Sequence, residues 1–150
     1  MIEKAQKSDL AEIVGLIIQM YAEGGYDRLF RDNAPEFILK TYEDLYDNAQ
    51  AQHFIIRDEG KIVSTAGAFI KSDMLSSFTK DMYYGFISNV YTIPEYRDKG
   101  HATLLTQGAI NWLKEKGMKE IKLVSTEMSK KIYEKMGFVP TDEMVMTIVE

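Results

Sequence analysis

The run Val90-Tyr91-Thr92-Ile93-Pro94-Glu95-Tyr96-Arg97-Asp98-Lys99-Gly100-His101-Ala102 decides how this chain is read. It opens as a strand of β-branched and aromatic residues and stops at a proline. It then turns through Arg-x-x-Gly-x-Ala. A helix follows, with Ala102, Leu105, Ala109 and Trp112 spaced along one face. A helix start leaves its first backbone N–H groups without intrahelical partners. Those groups, at the positive end of the helix dipole, favour a phosphate or pyrophosphate. Gly100 and Ala102 are small enough to let such a ligand approach the backbone. Arg97 and Lys99 add positive side chains. Asp98 has the wrong sign for an anion and is expected to face solvent. By itself, the turn also suits an ordinary strand-to-helix connection.

Working outward, the preceding residues 82–93 are rich in strand formers, and 121–125 form a further strand candidate after Gly117 stops the helix. The two strands flank one helix and are expected to run parallel. Upstream, residues 52–58 and 62–70 flank the turn Asp58-Glu59-Gly60-Lys61 and read as a hairpin. Residues 71–81 are polar and loop-like. Residues 2–5 are a short opening strand. Ser8, with Asp9 behind it, is positioned to cap a helix whose buried face is Leu10, Ile13, Ile17 and Met20. Gly24-Gly25 ends it. Asn33, Pro35 and Glu36 signal a second helix start, with Ile38, Tyr42 and Leu45 as its apolar stripe. Residues 128–136 read as a short helix ended by Gly137. Phe138-Val139 and residues 144–149 read as closing strands. This order predicts an α/β (α+β) mixed sheet with helices on both faces, in one domain over residues 1–150.

The 150 residues carry a formal net charge of −5 and no cysteine. The charge argues against general nucleic-acid or anionic-membrane binding, so a phosphate ligand needs a local site. The absence of cysteine excludes disulfides, thiolate metal sites and a cysteine nucleophile. No apolar run is long enough to cross a bilayer, and Met1-Ile2-Glu3-Lys4 does not open a signal peptide. The default setting is therefore cytoplasmic. His53 and His101 are isolated and lack metal-ligand spacing, so no metal is expected. No histidine is positioned to activate Ser125 for a covalent acyl route. The nine methionines read as core filler.

Four features together resemble the GNAT-type N-acetyltransferases. Asp58-Glu59-Gly60-Lys61-Ile62-Val63 is similar to the family's hairpin. Residues 90–102 are similar to its acetyl-CoA strand and pyrophosphate loop. Ile132-Tyr133-Glu134-Lys135-Met136-Gly137-Phe138 resembles its Leu-Tyr-Glu-Lys-Leu-Gly-Phe signature. Asp142-Glu143-Met144 with its apolar tail fits the ending. The likeness is specific from about Asn89 to Phe138 and loose over the first 50 residues.

The resemblance implies the GNAT acyl-CoA N-acyltransferase fold, with a splay between the fourth and fifth strands. It implies acetyl-CoA as cosubstrate and a primary amine as direct acceptor. Pantetheine would bind along the backbone of Val90, Tyr91 and Thr92. The pyrophosphate would sit on Arg97, Asp98, Lys99, Gly100, His101, Ala102 and Thr103. Thr126 stands where the family often has Asn in contact with the coenzyme. Tyr133 would donate a hydrogen bond or proton to the leaving thiolate, whose thiol has an ordinary pKa of about 8.5. Asn89, before the splay, would orient substrate or water. Glu23, Asp27 and Glu43 lie in the region that forms the family's acceptor wall, and residues 21–31 with Tyr26 and Phe30 form the candidate acceptor lid. A homodimer is expected by analogy alone. Two rival readings are a non-catalytic acyl-CoA sensor module and another phosphate-binding domain using the Gly100 turn. The latter lacks the Gly-Lys-Ser/Thr of a nucleotide site.

Overall fold

A long antiparallel hairpin forms the centre of the sheet. Strands β2 (Ala51–Asp58) and β3 (Lys61–Ser72) pair from Asp58↔Lys61 to Ala51↔Phe69, so the Asp58–Lys61 turn is where the sequence put it. β1 (Ile2–Lys4) pairs antiparallel with β2 on the outer side. β4 (Tyr83–Thr92) pairs antiparallel with β3, and β5 (Ile121–Leu123) pairs parallel with β4. The computed structural model describes residues 1–73 and 82–148, and within them the sheet order is β1-β2-β3-β4-β5. It is the mixed sheet expected from the sequence. The expected loop 71–81 gives its first two residues to β3, and 74–81 lie outside the described residues.

The helices cover both faces. α3 (His101–Glu115) packs Leu105, Ala109, Ile110, Trp112 and Leu113 on Phe54, Ile56, Val63, Ala66, Ala68 and Ile87. On the other face, α1 (Leu10–Glu23) packs Leu10, Ile13, Leu16 and Ile17 on Ile55, Ile62 and Tyr91. α2 (Ala34–Asp47) joins that layer through Leu39, Tyr42 and Tyr46. The expected stripe shared only Tyr42 with this set, because the helix is rotated to bring both tyrosines onto the sheet. α4 (Lys130–Lys135) is shorter than expected, and Ser129 holds its cap position without a side-chain cap hydrogen bond.

Three local expectations are corrected. Ser8 does not cap α1: it lies within a 3₁₀ turn (Lys7–Asp9), where Gln6 N–H donates to Asp9 Oδ2 at 2.7 Å. Asn33 occupies the cap position of α2 but makes no side-chain cap hydrogen bond. Residues 138–148 form no strand. Met144, Val145, Met146 and Ile148 are 78–93% exposed, and Val149 lies outside the described residues. Strand propensity supplies suitable side chains, but a strand needs a ladder partner, and none of the described strands meets this segment.

Candidate active site

The site begins where β4 and β5 part. Their pairing covers Gly85↔Ile121, Phe86↔Lys122 and Ile87↔Leu123 and then stops, while β4 continues to Thr92 beside β3 alone. This is the expected splay. The β5-side edge of the last β4 residues is left facing a cleft of about 380 Å³.

A bulge in β4 sets what that edge presents. Ser88 pairs with Gly67 and Tyr91 with Thr65, so Asn89 and Val90 together oppose Ala66. Asn89 takes a left-handed backbone, φ 59°, which asparagine tolerates better than most residues. The extra residue reverses the alternation. Before the bulge, Gly85 N–H points to β5 and donates to Glu120 O at 2.8 Å. After it, Ile93 N–H points to β3 and donates to Val63 O at 3.0 Å. Tyr91, two residues earlier, shares that direction, and its carbonyl accepts from the Ser64 hydroxyl at 3.2 Å. Val90 and Thr92 therefore turn their N–H and C=O groups to the cleft. The side chains change faces too, since Ile87 and Val90 pack with α3 while Tyr91 packs with α1.

The floor of the cleft is the Gly100 turn. Gly100 caps α3 with φ 79°, and the first α-helical bond runs from Leu104 N–H to Gly100 O. The N–H groups of His101, Ala102 and Thr103 thus have no intrahelical acceptor. The described residues lining the cleft include Val90, Tyr91, Thr92, Arg97, Asp98, Gly100, His101, Ala102 and Thr103, all expected from the sequence. Tyr96 and Ile132 line it too and were missed. Tyr96 lies inside the quoted run and Ile132 precedes Tyr133, so adjacency alone could have flagged both.

The other expected residues, Lys99, Thr126, Tyr133 and Asn89, are not among those that line the cleft. Lys99 Nζ sits over the Tyr96 ring, 5.2 Å from its centroid. Thr126 shares a 2.9 Å hydroxyl contact with Ser129 at the start of α4. Tyr133 is half-buried with its ring edge-on to Phe138, and burial pushes its phenol above the ordinary value. Asn89 is 4% exposed, and its side chain is engaged by Tyr42 and His53 beneath α2.

Arg97 is held from behind. Its Nε donates to Thr92 O at 2.8 Å and its terminal nitrogen to Glu23 Oε2 at 2.8 Å. Tyr91 OH donates to the other oxygen of Glu23. These donors, the tyrosine first and the arginine next, hold the Glu23 carboxyl below its usual range. Burial, with the neighbouring carboxylate adding to it, pushes the Tyr91 phenol up to about 12. Glu23, an acceptor-wall candidate, is thus an occupied carboxylate and a weak base. Among the described residues no group of three or more histidine, aspartate or glutamate side chains is arranged to hold a metal, and no helix is long and apolar enough to cross a membrane.

Residues 19–138 match the family model of the GNAT acetyltransferases. The chain belongs to this family. Over 57 residues it is 39% identical to N-alpha-acetyltransferase 30 of Schizosaccharomyces pombe, a match covering 36% of this chain and only 38% of that protein. The crystal structure of a Clostridium acetobutylicum protein, described as a predicted acetyltransferase with acetyl-CoA, superposes with a TM-score of 0.85 at 23% identity, covering 99% of this chain and 95% of that one. A GCN5-related N-acetyltransferase from Ralstonia eutropha superposes with a TM-score of 0.79 at 20% identity, covering 99% and 97%. At these identities the two structures establish the GNAT fold.

Proposed function

We propose that this GNAT acetyltransferase, acting as one domain, moves the acetyl group of acetyl-CoA directly onto a primary amine of a small molecule or peptide. The observation that carries the reading is the cleft itself. It has a free strand edge at Val90 and Thr92, and it ends on the unpaired amides of His101, Ala102 and Thr103. A long, flexible cosubstrate with amides at one end and a pyrophosphate at the other fits that sequence of donors and acceptors.

Pantetheine adds to the Val90 and Thr92 edge as a substitute strand. Tyr91 contributes its side chain, because its carbonyl is turned to Ser64. The pyrophosphate sits on the Gly100 turn, with Lys99 next to it in the chain and Asp98 also lining the cleft. Arg97 lines this end, and Thr126 supports the start of α4. The neutral amine attacks the thioester carbonyl, a C–N bond forms, and the C–S bond breaks. Tyr133 supplies the proton that the departing thiolate takes, and the amine loses its surplus proton to solvent. Asn89 acts through the backbone that it shapes. A homodimer belongs to the proposal by analogy with the family only.

The test is release of free thiol from acetyl-CoA over a panel of small-molecule amines and peptides with free N-termini. The similarity to an N-alpha-acetyltransferase is the reason for including peptides. Release that depends on one acceptor class identifies it. Coenzyme binding without release across the panel would leave a binding module.

A further inference from the structure

His53 is fully buried on β2 and pairs with Gly67 of β3, whose other partner is Ser88 at the start of the β4 bulge. Asn89 Nδ2 carries two protons: one goes to Tyr42 Oη at 2.8 Å and the other to His53 Nε2 at 3.1 Å. His53 Nδ1 then holds the ring proton and donates it to Tyr46 Oη at 2.9 Å. The backbone N–H of His53 donates to the same hydroxyl at 2.7 Å. Both ring nitrogens are thus occupied, and the imidazole has one tautomer and one orientation.

Room has been made for it. Gly67 lies in the middle of β3, where glycine weakens a strand. A Cβ there would stand 2.9 Å from His53 Nε2 and 2.8 Å from the Phe69 ring. The rings of Tyr42, Tyr46 and Phe69 close the remaining sides at centroid distances of 5.3–5.9 Å.

We propose that His53 is a positioning residue for the coenzyme: through Asn89 it locks the left-handed turn of the bulge, which selects Val90 and Thr92 to face the cleft. A strand with the same residues and no bulge would turn the amides of Asn89 and Tyr91 toward the β5 side instead. The hydrogen bonds to the Asn89 amide favour the left-handed conformer over the extended one, so the alternation is reversed before any ligand arrives. The inference rests on the reading that this edge receives pantetheine.

The experiment is a double-mutant cycle read by calorimetric titration with acetyl-CoA, with thermal unfolding in parallel. The four proteins are wild type, His53→Leu, Asn89→Gly and the double variant. Glycine keeps the left-handed backbone accessible but cannot receive the tie from His53. His53→Leu in the wild-type background is expected to raise the acetyl-CoA Kd about ten-fold, the scale on which misplaced binding groups act. In the Asn89→Gly background it is expected to add less than about two-fold, although it still lowers Tm. An unchanged Kd in folded His53→Leu overturns the proposal, and so does an equal rise in both backgrounds, which would mean a purely structural histidine. Should His53→Leu not fold, Tyr46→Phe replaces it in the same cycle. That change keeps the ring and removes the hydroxyl that orients His53, with the same pattern expected at about three-fold. Absence of acetyl-CoA binding in folded wild type would instead remove the pantetheine reading itself.

Discussion

Arg97 of the Gly100 loop donates to Glu23, the last residue of α1, across 2.8 Å. A cation that lines the proposed pyrophosphate site is therefore already paired with a carboxylate from the acceptor-side layer. Tyr91 donates to that same carboxylate, so one residue joins α1, β4 and the coenzyme loop.

Glu23→Gln removes a negative charge beside an anion site. Acetyl-CoA is expected to bind about three-fold more tightly at low ionic strength, since an exposed charge a few ångströms from an anion acts on this scale. The gain is expected to vanish at about 1 M salt, where the Debye length is near 3 Å. Calorimetry at the two salt concentrations reads this directly, and tighter binding that persists in high salt would point to a different cause.

Tyr133→Phe is expected to lower kcat by about 10²-fold while the acetyl-CoA Kd stays within a few-fold. Burial raises the Tyr133 phenol above its ordinary value, so it remains protonated and able to donate through neutral pH. The kcat profile of wild type is therefore expected to show no alkaline limb from this residue below about pH 10. Single-turnover rates, which isolate chemistry from product release, are the measurement to make.

Gly100 adopts φ 79°, and no atom stands within 4 Å of where its Cβ would be. Gly100→Ala thus meets only backbone strain, costing about 1 kcal/mol. The Tm is expected to drop by a few degrees, the scale for a chain of 150 residues. In the proposed site the new methyl group faces the pyrophosphate, so acetyl-CoA affinity falls more than stability does. Equal, small effects on both would mean the ligand does not approach this backbone.

Burial pushes the His53 imidazole from 6.5 down to about 3. Below about pH 6.5 the unfolded chain takes a proton at this position that the folded chain refuses until about pH 3. The unfolded state binds more protons in that window, so stability falls as pH falls, by up to about 1.4 kcal/mol per pH unit. Asp9 and Glu23, both held below their usual values by partners, add further losses once pH enters the carboxylate range. Urea unfolding between pH 7 and 5 is the check, since carboxylates contribute little there. His53→Leu is expected to flatten that stretch, and an unchanged slope in the variant would assign it elsewhere.

Much of this molecule was legible in local sequence. Strand-forming composition and helical spacing marked the five strands and four α-helices of the described residues, but not the 3₁₀ turns, because both signals follow from backbone geometry within a few residues. The Gly100 turn was equally local: a left-handed cap and a set of free amides are properties of one loop. The Asp58–Lys61 turn and the parallel pairing of β4 with β5 were readable for the same reason.

Tertiary structure decided the rest. Arg97 and Glu23 are 74 positions apart, and His53 and Asn89 are 36 apart. A lone buried histidine and an asparagine in a strand carry no local mark of their pairing. The bulge at Asn89 falls in the same class. It depends on which residue of β3 lies opposite, and a slip of one residue would exchange the faces of everything after it. The apolar pieces 138–139 and 144–148 show the converse: their composition suits strands, but pairing requires a partner edge in space. Sequence by itself thus determined the elements and the anion-facing loop, because backbone conformation is set by near neighbours. Which amides face the cleft, and which charges stand beside it, was determined only when distant side chains met across the sheet.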